Sequence, residues 1–260
     1  MANLSDYITD TQSLMRDQYN LLTPLPQLIR WINQARSRTC LKTGCIEILI
    51  AGNCPSGTSA VPNSLVPSAA QPGQNSVQKF QTIADCELYS YAYANQFLRA
   101  NNTGVKGIVE VKQVAISWGS FRPAMRWWPW QDLQAYSRAY NIGVYNYPLI
   151  WSDTGDGEVG NVWLWPAPSI TGVSSLQASQ GEMEWLVSCV PLPLYTANDY
   201  EAIPEPYTNA VKYKAASYCM LAAQRYTTAQ LFSDMWADDL GLDRESVDRG
   251  KVNDYYFSNF

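Results

Sequence analysis

The sequence predicts an α+β fold: a helical bundle formed by the N- and C-terminal helices, with an inserted, mostly antiparallel β region. Three observations carry this. Apolar residues recur at steps of three and four near both ends of the chain. Short alternating runs, separated by Gly and Pro, fill the middle. Hydrophobic residues make up 47% of the 260, enough to build a core at roughly 100–200 residues per domain.

The first helix carries Leu4, Tyr7, Ile8, Thr11, Leu14, Met15 and Gln18 at helical spacing. Thr23 is read as the N-cap of a second helix with Pro24 at its first position. Leu25, Leu28, Ile29, Ile32, Ala35 and Thr39 share one face of that helix, with Arg30, Arg36, Arg38 and Lys42 elsewhere. Gly44 is its expected stop. Residues 1–44 thus form a helical hairpin. A polar loop insertion, 45–78, follows. From 51 to 78 it holds four prolines and no charged residue, too little apolar area to order itself as a packed element.

Residues 79–200 read as a β-rich region with one short helix. Val77–Thr82 and Glu87–Tyr93 are expected to form a hairpin around Ala84-Asp85. Ile108–Ser117 alternates as a strand does. Trp128-Pro129 opens a helix over Gln131–Tyr140. Tyr145–Trp151, Asn161–Trp165 and Glu182–Val190 are further strands. In 201–250 the stripe Val211, Ala215, Tyr218, Ala222, Tyr226, Ala229, Phe232, Trp236 and Leu240 reads as sustained helix ending at Gly241. A shorter helix is expected over Asp243–Arg249. The last segment, 251–260, is an aromatic arm.

Charge and residue inventory narrow the function. Lys+Arg is 18 and Asp+Glu is 23, a net charge of −5, which argues against tight binding to a phosphate backbone. The chain has no histidine. This excludes Ser-His-Asp and Cys-His catalysis and zinc sites built on His. No apolar run is long enough to span a membrane, and the opening residues lack the pattern of a secretory signal. None of the six cysteines forms C-x-x-C, and buried free thiols are expected. No metal or cofactor is expected.

Individual motifs fare poorly as chemistry. Gly155–Gly160 matches G-x-G-x-x-G, but a strand rather than a helix follows, so a hairpin turn is expected. Asp153-Thr154-Gly155 is the aspartic-protease triplet without a second copy. Glu182 and Glu184 lie about 6.5–7 Å apart along a strand; a solvated strand face is expected of them. The 10 Trp and 17 Tyr are the stronger signal, because such side chains suit both cores and interfaces. Trp127, Trp128 and Trp130 follow Arg122 and Arg126, and packing between subunits or across the β core is expected of them.

Three segments together resemble the head-to-tail connector (adaptor) proteins of tailed, in particular short-tailed, bacteriophages. The first is the opening hairpin, with Asp6-Tyr7-Ile8, Arg16-Asp17 and Ile29-Arg30-Trp31-Ile32-Asn33-Gln34-Ala35-Arg36. The second is Trp163-Leu164-Trp165-Pro166-Ala167-Pro168. The third is Ile203 to Tyr213 with Ala215-Ala216 and Gln224-Arg225-Tyr226. The resemblance implies a virion protein made in the host cytoplasm. It implies a ring, commonly of twelve copies, that bridges the portal protein to tail or nozzle proteins and lets double-stranded DNA through its centre, with no catalytic role. Trp127, Trp128, Trp130, Tyr218, Ala222 and Tyr226 are then expected in packing between subunits, and Tyr255, Tyr256, Phe257 and Phe260 in portal binding. Two other classes compete with it: a cell-wall glycan hydrolase using Glu182 and Glu184, and a carbohydrate-binding module using the Trp127–Trp130 platform.

Overall fold

The computed structural model describes residues 3–17, 19, 21–51, 64–65, 80–100, 104–118, 125–139, 147–155, 157–169, 173–175, 178–196, 199 and 201–241. Its helices are α1 (Leu4–Met15), α2 (Leu25–Thr43), α3 (Tyr91–Ala100), α4 (Trp130–Ala139), α5 (Thr208–Ala222) and α6 (Tyr226–Leu240). Its strands are β1 (Glu47–Ala51), β2 (Ser64–Leu65), β3 (Leu88–Ser90), β4 (Val105–Trp118), β5 (Arg126–Trp127), β6 (Ile150–Thr154), β7 (Asn161–Trp165), β8 (Val173–Ser175) and β9 (Ala178–Pro191). The described residues fall into two compact units. The first holds those within Met1–Ile46, Gly104–Lys106 and Cys189–Val247; the second holds those within Glu47–Thr103 and Gly107–Ser188.

The first unit is the helical bundle, α1, α2, α5 and α6. A capping box starts α1: Asn3 Oδ1 accepts the Asp6 N–H and Asp6 Oδ2 accepts the Asn3 N–H, both at 3.0 Å, which satisfies two amides the first turn leaves open. Past α1 the Asp17 carboxylate accepts the N–H groups of Leu21, Leu22 and Thr23 at 2.7, 2.9 and 3.2 Å, shaping the turn into α2. The N-cap of α2 is Pro24, one residue beyond the expected Thr23. Gly44 ends it at φ 58, as expected.

Helix α5 is the centre of the bundle. Ala210, Val211, Ala215, Ala216, Cys219 and Met220 are all buried, so small side chains face neighbours on more than one side and let α1, α2 and α6 approach closely. The single stripe expected from 211 to 240 breaks at Ala223–Arg225. Gln224 takes a left-handed φ of 59, and the chain doubles back so that α6 packs on α5. The Ser217 hydroxyl donates to the Ala229 carbonyl at 2.9 Å across this hairpin. Ala222 and Tyr226, at the turn, are exposed rather than buried in the stripe.

Arg36 is a second departure, since it sits inside the bundle. It forms a fork-to-fork pair with Glu201: Nε to Oε2 at 2.7 Å and Nη2 to Oε1 at 2.6 Å, with both side chains 1% exposed. Its Nη1 donates to Asn33 Oδ1 at 3.0 Å and to the Leu192 carbonyl at 2.8 Å. Asn33 in turn holds Leu194 through both backbone groups, at 2.9 and 2.8 Å.

The second unit contains two sheets. One has the order β2-β1-β9-β4 with β8 on β9; the other has the order β3-β7-β6-β5. Pairing is mostly antiparallel, with β1–β2 and β5–β6 parallel. Along β9 the residues Met183, Trp185, Val187 and Cys189 are fully buried on one face. Trp185 meets Phe80 edge-on at 4.9 Å and Tyr91 at 6.5 Å. Gly160 is required beside it, because a Cβ there would stand 2.4 Å from the Tyr91 ring.

The hairpin expected around Ala84-Asp85 does not form. Its arms choose different partners: Gln81 bridges to Glu182, whereas Leu88–Ser90 pairs with β7. Tyr91–Tyr93, expected as strand, opens α3 instead. Strand β6 begins at Ile150 rather than Tyr145, and residues 140–146 lie outside the described set. The expected loop at 51–78, apart from Ala51, Ser64 and Leu65, and the expected helix Asp243–Arg249 also lie outside it.

Two stability predictions follow from this packing. Arg36→Met leaves the Glu201 carboxylate buried without its partner and should cost about 3–5 kcal/mol by denaturant unfolding, most of it recovered when Glu201→Leu is added. Ala222→Arg should stay within about 0.5 kcal/mol of the parent, whereas Ala216→Arg should cost upwards of about 3 kcal/mol or abolish folding.

Candidate interaction surface

Within the second unit the Trp-rich segment forms an aromatic cluster. Leu133, Ile150 and Trp165 are its buried centre, with Trp128, Trp130, Tyr136, Leu149 and Trp163 packed around them. The Trp127 indole N–H donates to Asp153 Oδ1 at 2.7 Å, and the Trp163 indole N–H to Thr154 Oγ1 at 3.2 Å. Trp130 lies 4.4 Å from Trp163, tilted by 33°. Tyr136 takes Trp128 and Trp165 edge-on at 5.2 and 5.0 Å. These rings spend much of their area on one another, as a core does. The order of Trp127, Trp128 and Trp130 is therefore explained by strand β5 pairing with β6 and by α4 starting at Trp130.

The same strands dispose of the catalytic candidates. Asp153 is engaged by Trp127, and Thr154 by Trp163, so the D-T-G triplet serves the cluster. Gly155 and Gly157, at φ 75 and 63, belong to the connection between β6 and β7, with a 3-10 turn at Gly157–Val159. This is a hairpin connection with no helix to receive a pyrophosphate, as expected. Glu182 is buried at 5% exposure, against the expectation of a solvated face, and Glu184 pairs opposite Ala51 in the sheet. Both project from one strand face, so neither stands across a cleft from the other. No cluster of metal-ligating side chains occurs among the described residues. Among them no helix is long and apolar enough to cross a membrane.

The helical unit presents a different surface. Tyr218 is half-buried within it, 5.6 Å from Trp31, with Lys214 Nζ 5.4 Å from its ring. Lys214 also lies 4.2 Å over the Trp236 ring, and burial, then the Arg38 charge, pulls its ionisation down. Tyr226 is 67% exposed. So are large apolar side chains that sequence reasoning did not single out: Tyr19, Leu21, Leu41, Leu221 and Leu231 are all more than 45% exposed. Leu21 follows a polar-capped turn and Leu41 sits off the apolar stripe of α2, which were their only signals in the sequence. Ala222 joins this exposed set at the α5–α6 turn. The arm residues Tyr255, Tyr256, Phe257 and Phe260 lie outside the described residues.

The two groups of aromatics should respond oppositely to truncation. Trp130→Ala should lower unfolding stability by about 2–3 kcal/mol. Tyr226→Ala should change it by no more than about 0.5 kcal/mol. Urea titration of the two variants checks both.

Comparison with known proteins adds the family. A search of curated proteins gives no match. A family model described as SU10 adaptor protein matches residues 2–254. With a bundle of terminal helices, an inserted β unit and no catalytic constellation among its described residues, this chain belongs to the SU10 adaptor protein family, and is thereby a bacteriophage structural protein of the adaptor type.

Proposed function

We propose that the chain forms a ring adaptor between the portal vertex and the tail of the virion, with double-stranded DNA passing through its central channel. The observation that carries the reading is the family match across residues 2–254. The family implies association with portal and tail proteins. The exposed Tyr19, Leu21, Leu41, Leu221, Tyr226 and Leu231 of the helical unit support it, because large apolar side chains left uncovered suit contact with other subunits. The net charge of −5 suits a channel that DNA must cross without adhering. Ala222 and Tyr226 are the predicted inter-subunit residues best placed to reach a neighbouring copy. Twelve copies are the expected ring.

On this reading the protein is non-enzymatic and the segment 251–260 is the portal-gripping arm. Tyr255, Tyr256, Phe257 and Phe260 supply aromatic anchors, and repetition around a ring multiplies a modest single-arm affinity through effective concentration. Glycan binding by Trp127, Trp128 and Trp130 gains no support, since the rings of Trp128 and Trp130 pack within the unit's own cluster and the Trp127 indole N–H is bonded to Asp153. Truncation after Gly250 tests the arm. The expected product is folded and soluble but no longer joins portal-containing particles. Native mass measurement of the full chain, alone and with portal protein, should show a closed ring on the portal. Wild-type yield of particles bearing the truncated protein would remove the arm from the reading, and a strictly monomeric chain in the presence of portal would remove the ring.

A further inference from the structure

Two thiols meet where α2 ends. Cys40, in the last turn of α2, is buried, and Cys45, one residue past the Gly44 cap, is partly exposed. The left-handed turn at Gly44, whose N–H donates to the Cys40 carbonyl at 2.8 Å, folds the chain back. It leaves the two Sγ atoms 3.5 Å apart. Neither is held in a disulfide.

We propose that Cys40 and Cys45 form an oxidisable dithiol: a covalent site that takes a low-molecular-weight disulfide as its oxidant and closes into an intramolecular disulfide. The partial exposure of Cys45 gives the oxidant access, and the burial of Cys40 beside it leaves that thiol to complete the reaction. The chemistry runs in two exchanges. The Cys45 thiolate attacks one sulfur of the small disulfide. That S–S bond breaks, and the departing thiolate takes a proton from water. Cys40 then gives its proton to water and attacks Sγ of Cys45, expelling the second small thiol. The protein loses two electrons and two protons, and the small disulfide is reduced to two thiols.

The surroundings favour this order. The hydrogen bond between the two thiols holds the Cys45 thiol below its ordinary ionisation, with Thr43 assisting against burial. The same contact is the main influence that raises Cys40, followed by burial. Consuming the Cys45 thiolate in the first exchange removes that influence and frees Cys40 for the second. The bond would staple the end of α2 to the residue that leads into β1. This chemistry does not depend on the adaptor reading; only its timing does, since a virion leaves a reducing cytoplasm for oxidising surroundings.

The test uses the full-length purified protein, first reduced and then exposed to oxidised glutathione, with peptide mapping by mass spectrometry. Cys86, also partly exposed but bonded to the Leu88 carbonyl at 3.2 Å, is the internal comparison. The expected result is a Cys40–Cys45 linked peptide without retained glutathione, and alkylation of Cys45 several-fold faster than of Cys86 before oxidation. Cys40→Ser should stop at a glutathione adduct on Cys45, and Cys45→Ser should leave Cys40 unreacted. A lasting adduct on Cys45 in the parent protein, or no reaction there while Cys86 reacts, overturns the proposal.

Discussion

Two opposite charges sealed inside a helical bundle constrain it more tightly than apolar contacts can, and the Arg36–Glu201 pair does this here. Removing both ions from water costs several kcal/mol each, and their attraction offsets that only when every remaining donor and acceptor is matched. The bundle approaches the condition, with four Arg36 hydrogen bonds. The Arg36 fork takes both Glu201 oxygens, and its last donor reaches Asn33 and the Leu192 carbonyl. Glu201 also receives the Ile203 N–H at 3.0 Å. A slip of α2 by one residue would strand a charge, so the pair fixes register as well as contact. The clamp joins α2 to the stretch leading from β9 to α5, segments separated by about 160 residues of chain. The helical unit thereby holds its own two distant stretches of chain together.

Neighbouring features depend on that closure. Thr39, one turn beyond Arg36 on α2, accepts the Trp236 indole N–H at 3.2 Å and so fastens α6. Tyr7 of α1 is fully buried near the same pair, and burial first, then the Glu201 carboxylate, pushes its phenol up. α2 and α6, and α5 and α6, are therefore tied by polar contacts that each specify one geometry, while the small residues of α5 supply the room. The resemblance motif containing Asn33 and Arg36 acquires a physical meaning: those two side chains hold the returning chain at Leu192, Leu194 and Glu201.

What the sequence made legible was mostly local. Gly44 and Gly241 stop their helices because a left-handed cap is a property of one residue. Strand β7 spans Asn161–Trp165 as read, since both its ends carry turn signals. Long-range choices were not legible. Tyr89, Tyr91 and Tyr93 alternate like a strand, yet α3 begins at Tyr91, because that ring is drawn against Trp185 and over Gly160. No Gly or Pro marks the break between α5 and α6, so the 3–4 step ran straight through Gln224. Ala222 therefore falls on the predicted apolar stripe although it is exposed at the turn. The burial of Arg36 and Glu182 is not legible, because a charge signals burial only through a partner, and the partner of Arg36 lies far along the chain. Aromatic content was legible as a quantity but not as a location.

That last distinction bears on how such a protein can fold first and assemble afterwards. In the second unit Trp128, Trp130, Trp163 and Trp165 pack on one another, and the Trp127 and Trp163 indole N–H groups are bonded to Asp153 and Thr154, so these rings stabilise the subunit itself. The exposed apolar residues of the helical unit are mostly single side chains on helices whose inner faces are already filled, or on the short turn that Asp17 caps. Removing one such residue leaves the bundle folded, because the core beneath does not rely on it. Several of the buried polar groups, Arg36, Asn33, Glu201 and Thr39 among them, are spent on holding segments together. The subunit is thus divided between an interior whose register is set by a charged clamp and an exterior that leaves single apolar side chains uncovered.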